Sequence, residues 1–173
     1  MIIPDSDSDC SNKNIVFSYG TKGALIMAII TFGQKEEDKE YILRPAVYCL
    51  MFNNQKDKIA IIETGNGEYF LPGGGIENNE THEECMKREA LEEMGMEIKL
   101  GRFIGYAQRY FFSRNECKYY LSEGHFYLCE MGTQVSEPTE ENHLLIWVEP
   151  IRAVENLVHE HQIWAVNKVL KMI

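Results

Sequence analysis

Three glutamates, Glu89, Glu92 and Glu93, form the pattern in this sequence that most directly suggests chemistry. Their spacing of i, i+3 and i+4 places all three carboxylates on one narrow face of a helix. Carboxylate oxygens are the hard ligands that Mg²⁺ and Mn²⁺ prefer. The spacing therefore predicts a divalent-cation site, and the alternative is a solvated acidic face of a helix.

This acidic face is unfavourable for the helix that carries it. Like charges at these spacings repel by roughly 0.2–0.5 kcal/mol per pair. Glu92 and Glu93 also lie in the last turn, where the helix dipole opposes negative charge by about 0.3–1 kcal/mol each. Arg88, one turn before Glu92, offsets only part of this repulsion. Residues that weaken local structure are often retained for function, although an isolated group of three glutamates at this spacing is more often solvated surface.

The surrounding residues decide between these alternatives. From Gly74 the chain reads Gly, five residues, Glu80, seven residues, Arg88-Glu89-Ala90, one residue, Glu92-Glu93, one residue, Gly95-Met96. This segment resembles the Nudix box at every signature position. The order of strands and helices from Tyr41 to Ile173 is also similar to that of the MutT-like Nudix hydrolases.

The resemblance implies a role for each matching residue. In this family the signature forms a loop–helix–loop that holds divalent cations against a pyrophosphate. The implied metal ligands are Glu89, Glu92, Glu93 and the Gly74 carbonyl, with Mg²⁺ as the cofactor and Mn²⁺ as its substitute. Gly73, Gly74 and Gly75 are expected to let the main chain approach the substrate phosphates closely. Arg88 is expected to act with the catalytic glutamates and, like Glu80, to orient their carboxylates.

Family members often use a further glutamate outside the box as a base or an additional ligand. Glu141, in the loop 136–142, is our first candidate for this catalytic role, with Glu140 second and Glu123 third. We predict that Glu89 or Glu141 accepts the proton of the attacking water.

Residues that contact the substrate are harder to identify. Arg44 can bind phosphate, and Tyr69, just before the glycine-rich turn, can stack on a base. Other candidates, which are more often core residues, are Phe70, Arg109, Tyr110, Phe111 and Phe112. The downstream proline associated with ADP-ribose pyrophosphatases is missing, because no proline lies between Pro72 and Pro138. His125, His159 and His161 are not expected to bind a metal, and a His-x-His segment beside a terminal helix is more often surface.

The elements that must position these residues follow from local patterns. The runs Ala46–Phe52 and Lys58–Glu63 predict a hairpin, and Glu68–Leu71 predicts a short strand before the glycines. Thr81 and Glu84 form a capping box and Gly95 a left-handed C-cap, which predicts a helix over 81–94. Further strands are predicted at Ile98–Tyr110, Gly124–Glu130 and His143–Val148, and helical spacing predicts one closing helix between Pro150 and Ile173. The expected fold class is α+β, a mixed, curved sheet sandwiched between helices.

Residues 1–40 are predicted to be an N-terminal extension, flexible or partly docked, and residues 41–173 the Nudix hydrolase domain. The polar composition of residues 1–23 predicts a flexible tail. The apolar run Ala24–Ile30 fits a docked strand, a weak targeting sequence or residues around a natural start at Met27, and these alternatives stay open.

Composition limits the partners. The 173 residues are 45% hydrophobic and carry a formal net charge of −10. With no basic run and no stretch of roughly 18 apolar residues, long nucleic acids and membranes are not expected partners. Five scattered cysteines without a Cys-x-x-Cys pair predict reduced thiols in the cytoplasm. A small nucleotide-like substrate is the expected partner, and a homodimer is left open.

These features predict an enzyme that uses Mg²⁺ to hydrolyse a phosphoanhydride (pyrophosphate) bond. The expected substrate is a nucleoside diphosphate linked to another moiety, such as a nucleoside triphosphate or a dinucleoside polyphosphate. The alternative is a non-catalytic Nudix module that senses a nucleotide and regulates a partner. The complete set of carboxylates favours the enzyme, because a sensor has less need of all three on one face.

Overall fold

The computed structural model describes residues 14–16, 29–114 and 116–173. The strands in these residues are β1 (Asn14–Val16), β2 (Ile29–Phe32), β3 (Ile42–Met51), β4 (Ile59–Thr64), β5 (Tyr69–Phe70), β6 (Gly73–Gly75), β7 (Met96–Ser113), β8 (Lys118–Gln134) and β9 (His143–Val148). The helices are α1 (His82–Met94), α2 (Pro150–Asn156) and α3 (Glu160–Leu170). The rest of the tail predicted to be flexible, and residues 24–28 of the apolar run, lie outside the described residues.

The strands form two sheets. The larger sheet has the order β1-β2-β7-β8-β3-β6, and the smaller has the order β5-β4-β9. β7 and β8 form a long antiparallel hairpin, while β8 runs parallel to β3 and β2 parallel to β7. The register of the hairpin shifts three times between Met96 and Gly105, and such irregularities bend a sheet. The predicted mixed sheet is confirmed.

The core has two parts because β3 presents alternate residues to opposite faces of the sheet. Val47, Cys49 and Met51 pack with the apolar face of α1, whereas Leu50 packs with residues of α2 and α3 such as Val166. Each fully buried side chain of this size contributes about 1.5–3 kcal/mol of hydrophobic stabilisation. The predicted arrangement of a sheet between helices is confirmed, and α1 is thereby held against the glycine strand β6.

The chain departs from the predicted elements in two places. The region predicted as a single closing helix forms two helices, α2 and α3. The helix ends after Asn156, where Leu157 is buried and the Val158 N–H donates to the Tyr69 carbonyl at 3.1 Å. The segment Gly73–Gly75, predicted as a turn, pairs as a strand with β3. None of the described helices has the length and apolar character needed to cross a membrane.

Candidate functional site

Helix α1 begins and ends where its capping residues predict. The Thr81 hydroxyl accepts the Glu84 N–H at 3.2 Å, and the Glu84 carboxylate accepts the Thr81 N–H at 2.7 Å. Gly95 ends the helix with φ 65°, in the left-handed region that suits glycine. Both predicted caps are confirmed, and the last two turns of α1 carry the three glutamates.

The glycine strand approaches the glutamates more closely than any other residue type would allow. Gly73 has φ 126°, and its N–H donates to Glu93 Oε2 at 2.9 Å. A Cβ on Gly74 would lie 2.3 Å from Glu89 Oε1, well inside van der Waals contact. The backbone of β6 and the carboxylates of α1 therefore form opposite walls of one narrow space.

Arg88 ties these walls together. Its Nη2 donates to Glu80 Oε1 at 2.6 Å and to the Gly75 carbonyl at 2.9 Å, while Nε donates to Glu80 Oε2 at 3.2 Å. Its Nη1 donates to Glu89 Oε1 at 2.8 Å and to Glu92 Oε2 at 3.0 Å. Five directed bonds from one planar group fix the positions of three glutamates and the glycine strand.

Glu93 has a separate set of partners from the start of β9. His143 Nδ1 lies 3.4 Å from Glu93 Oε1 and closer still to Glu140 Oε2. Glu140 and His143 both line the cleft above the glutamates, a cleft of about 480 Å³. Glu141 is exposed and does not line this cleft, so the structure brings Glu140, our second candidate, to the glutamates.

The environments of the carboxylates differ strongly. The Arg88 guanidinium lowers the pKa of Glu80 to about 2. Burial raises the pKa of Glu89 to about 7, since Arg88 offsets only part of the lost hydration and Glu93 and Glu92 add repulsion. Burial also raises the pKa of Glu93, even though His143 and the Gly73 N–H favour its ionised form. Glu89 and Glu93 are therefore buried carboxylates that the protein alone stabilises poorly as anions.

This donor set fits a divalent cation. In the part of the chain that the structure describes, Arg88 and His143 are the only cationic side chains paired with Glu89, Glu92 and Glu93. Glu92 is the most exposed of the three and faces the cleft. Gly74 also lines the cleft, and its carbonyl, the predicted ligand, accepts from the Cys85 thiol at 3.7 Å. Hard oxygen donors around a space too narrow for a side chain are typical of a Mg²⁺ or Mn²⁺ site.

A second cavity of about 260 Å³ adjoins the cleft and shares Arg44, the three glycines, Glu93 and His143 with it. The residues that line it also include the aromatic side chains of Tyr48, Phe70, Phe111 and His159. Gln162, fully buried, accepts the Leu71 N–H at 2.8 Å through Oε1, which fixes its amide. Its Nε2 has no hydrogen-bond partner among the described residues. The aromatic side chains that line the cavity suit it to a flat ring.

The structure places the predicted substrate residues unevenly. Arg44 lies in both cavities. Tyr69 lines neither of these two cavities and donates to Glu63 at 3.2 Å instead, while its neighbour Phe70 faces the second cavity. Arg109 is paired with Glu160.

The prediction that His159 and His161 lie at the surface is wrong. His161 is fully buried, and His159 is partly buried. His161 packs against the rings of Tyr48 and Phe126, at centroid distances of 5.7 and 5.6 Å. Burial lowers the pKa of His159 to about 3 and that of His161 well below its usual range. The break between α2 and α3 turns this segment inward, and a helical pattern alone does not predict such a break.

Sequence reasoning missed His143 and Gln162. No local signal marks Gln162, because its surroundings come from distant strands. His143 opens a predicted strand and follows two candidate glutamates, and this juxtaposition of a histidine and two carboxylates was the signal that could have found it.

Comparisons with known proteins agree with this geometry. A family model described as the NUDIX domain matches residues 42–167. A relative from Rattus norvegicus, diphosphoinositol polyphosphate phosphohydrolase 2, is 35% identical over 60 residues, which cover 33% of this chain. That match spans 34% of the relative, about a third of its length.

Solved structures resemble this chain in fold. A NUDIX hydrolase from Nitrosomonas europaea superimposes with a TM-score of 0.59 at 15% identity, over 75% of this chain and 90% of that one. A MutT protein from Bacillus halodurans superimposes with a TM-score of 0.54 at 22% identity, over 73% of this chain and 82% of that one. Because the family model spans well over half of the 173 residues, the chain belongs to the NUDIX family.

Proposed function

We propose that this protein hydrolyses the pyrophosphate bond of a nucleoside diphosphate linked to another group, with Mg²⁺ as its cofactor. The observation that carries the proposal is the convergence of Glu89, Glu92 and Glu93 on the glycine strand within one open cleft. Two of these carboxylates are buried, an unfavourable arrangement that a bound cation relieves.

The proposed ligands are the three glutamates and the Gly74 carbonyl. A divalent cation bound there neutralises phosphate charge and lowers the pKa of a coordinated water. Arg88 keeps Glu89 and Glu92 in place through its two bonds from Nη1, and the Gly73 N–H does the same for Glu93. Hydrolysis of this kind depends mainly on positioning and electrostatic stabilisation, which these contacts supply.

Glu89 is the proposed base. A general base must lie within reach of the water whose proton it accepts, and Glu89 lines the cleft together with the other two glutamates. Its carboxylate borders Gly74, where the phosphates would lie against the main chain. Glu140 takes the place of Glu141 as the further glutamate near the reaction, because Glu140 lines the cleft.

The two cavities together favour a nucleotide over a polyphosphorylated inositol. Groups with many phosphates are usually recognised by clusters of arginine and lysine. The basic residues that line these cavities are Arg44 and Arg88, and Arg88 is already held by Glu80, Glu89 and Glu92. The aromatic cavity next to Arg44 suits a nucleobase, so we place the base there and the pyrophosphate across the glycine strand.

We also place the protein in the cytoplasm. The cysteines that the structure describes, Cys49, Cys85, Cys117 and Cys129, are all free thiols, and free thiols are typical of a reducing compartment.

A substrate panel tests the activity. Release of phosphate or pyrophosphate would be measured on nucleoside triphosphates, dinucleoside polyphosphates, ADP-ribose, nucleotide sugars and a diphosphoinositol polyphosphate, with and without Mg²⁺. We expect turnover of a nucleotide that requires Mg²⁺. The Glu93→Gln variant should lose activity by about 10²–10⁴-fold without a lower melting temperature, with Glu130→Gln on the exposed end of β8 as its control. Tight nucleotide binding without any turnover would contradict the enzymatic proposal and favour a sensor.

A matched pair of neighbours tests the nucleobase cavity. Phe111 lines this cavity, whereas Phe112 is 45% exposed and packs on Tyr119 on the other side of the strand. Phe111→Ala should raise the KM for the best nucleotide by about tenfold, since stacking on a base contributes about 1–3 kcal/mol. Phe112→Ala should leave KM unchanged, and equal effects of the two changes would exclude this placement of the base.

A further inference from the structure

We propose that Glu93, Glu140 and His143 form a second cation site, with mixed oxygen and nitrogen ligands, that prefers a first-row transition-metal ion to Mg²⁺. One ligand atom from each residue lies within 4.8 Å of the others. Ligands about 2.1 Å from one ion are about 3 Å apart when adjacent and about 4.2 Å apart when opposite. The 3.4 Å between His143 Nδ1 and Glu93 Oε1 therefore matches two adjacent ligands of one ion, whereas Glu140 Oε2 lies closer to Nδ1 than two such ligands would.

The fold holds these three residues together through backbone contacts. The N–H groups of Thr139 and Glu140 donate to the Glu92 carbonyl at 2.9 and 3.1 Å, so the loop before β9 is anchored on the last turn of α1. The His143 N–H donates to the Glu140 carbonyl at 3.1 Å. Glu93 projects from the same turn of α1 and is buried. The main chain consequently brings the three residues together, and Glu140 contributes the most exposed of the three side chains.

The imidazole is positioned as a ligand. Its Nδ1 atom is buried between the carboxylates of Glu93 and Glu140 and, among the described residues, makes no properly directed hydrogen bond to either. An ion between the three groups would satisfy this nitrogen and both carboxylates. Imidazole nitrogen favours transition metals, whereas Mg²⁺ prefers oxygen ligands alone. The neighbouring Glu89 and Glu92 offer only oxygen, so the two halves of the cleft differ in the metal they select.

The competing role for His143 is that of a protonated counter-ion to Glu93. The two roles predict opposite effects of removing the ring. A counter-ion occupies the position of a metal, so its removal would strengthen cation binding. A ligand contributes to metal affinity, so its removal would weaken it.

Binding of Mn²⁺ and Mg²⁺ to the substrate-free protein distinguishes these roles. Calorimetry on the His143→Gln variant should show at least a tenfold loss of Mn²⁺ affinity, with less change for Mg²⁺. Pulsed electron paramagnetic resonance should detect a nitrogen bound to Mn²⁺ in the wild type and lose it in this variant. His82→Gln is the matched control, because His82 packs against His125 and bonds Tyr127 away from the cleft.

A second pair of variants tests the site if the His143→Gln protein folds poorly. Glu140→Gln should weaken Mn²⁺ binding but keep the nitrogen signal, and its exposed neighbour Glu141→Gln should change neither. The proposal would be overturned by a wild type without the nitrogen signal, or by a His143→Gln variant that binds Mn²⁺ as tightly or more tightly. The proposal rests on the proposed cation-binding role of Glu93. These measurements contain no substrate, so failure here and failure of the hydrolytic activity are distinguishable.

Discussion

Gly74 is the position where one added methyl group tests the site most directly. In the Gly74→Ala variant the new Cβ would lie 2.3 Å from Glu89 Oε1 and 2.7 Å from Glu89 Cδ. Ordinary contact begins near 3.4 Å, so the carboxylate must move by about 1 Å. A displacement of that size at a reacting centre can lower turnover by roughly 10²-fold. We expect a loss of at least that size, with weaker Mg²⁺ binding.

The same change should leave the fold intact. The atoms that must move belong to the end of a flexible side chain, and Gly74 does not have a positive φ. The contact at risk is the pair between Arg88 and Glu89, and Arg88 keeps its pairs with Glu80 and Glu92. Alanine also reduces the freedom of the unfolded chain by about 0.4–1 kcal/mol, which acts in the opposite direction. The melting temperature should change by less than about 4 °C.

Gly73→Ala is the matched comparison, and it should have the opposite outcome. Its Cβ would lie 2.2 Å from the Val47 carbonyl oxygen, which belongs to the backbone of β3 and cannot rotate away. Gly73 also has φ 126°, a region closed to alanine without strain. We expect a loss of about 3 kcal/mol or more, and a fall in melting temperature of at least about 6 °C.

Thermal denaturation, Mg²⁺ calorimetry and turnover of the best substrate from the panel would be measured on both variants. A folded Gly74→Ala protein with wild-type turnover would refute the assignment of the active site to the space between β6 and α1. A Gly73→Ala protein as stable as the wild type would refute the geometry of β6.

Two further predictions concern stability. The pKa of Glu89 is raised above its unfolded value, so ionised Glu89 destabilises the fold at high pH. Without cations, Glu89→Gln should therefore raise the free energy of unfolding at pH 8 by up to about 3 kcal/mol. An equal or lower melting temperature would contradict this. The variant should also be stabilised less by Mg²⁺ than the wild type. Because the pKa of His161 is lowered by burial, its neutral form stabilises the fold above about pH 6.5, and this stability is lost as the pH falls. Below pH 6.5 the free energy of unfolding of the wild type should fall by up to about 1.4 kcal/mol per pH unit more than that of His161→Gln. Equal pH dependence of the two proteins would disprove this prediction.

The parts of the site that were predicted correctly depend on local signals. The capping box at Thr81 and Glu84 and the left-handed Gly95 are decided by residues within one turn, so the bounds of α1 were predictable. The strand His143–Val148 was predicted with its observed bounds, because its apolar run is bounded by polar residues. With α1 placed, helix geometry puts Glu89, Glu92 and Glu93 on one face, as their spacing predicts.

The parts that were missed depend on contacts between distant segments. β5 has only two residues, too few for an alternating pattern to show whether Tyr69 or Phe70 faces the cavity. The choice between Glu140 and Glu141 is likewise set by the docking of their loop on the Glu92 carbonyl. Neighbouring residues there point in different directions, and no feature of the sequence fixes which one faces the cleft.

The docking of this loop also resolves the electrostatic problem posed by the acidic end of α1. The helix ends with two glutamates where its dipole disfavours them, yet the Glu92 carbonyl receives two N–H groups from the loop, and the Gly95 carbonyl receives those of Val135 and Ser136. These bonds stabilise the helix end without neutralising a carboxylate. The negative charge that would weaken an isolated helix is therefore preserved for a cation, and the loop that supports it also supplies Glu140 and leads into His143.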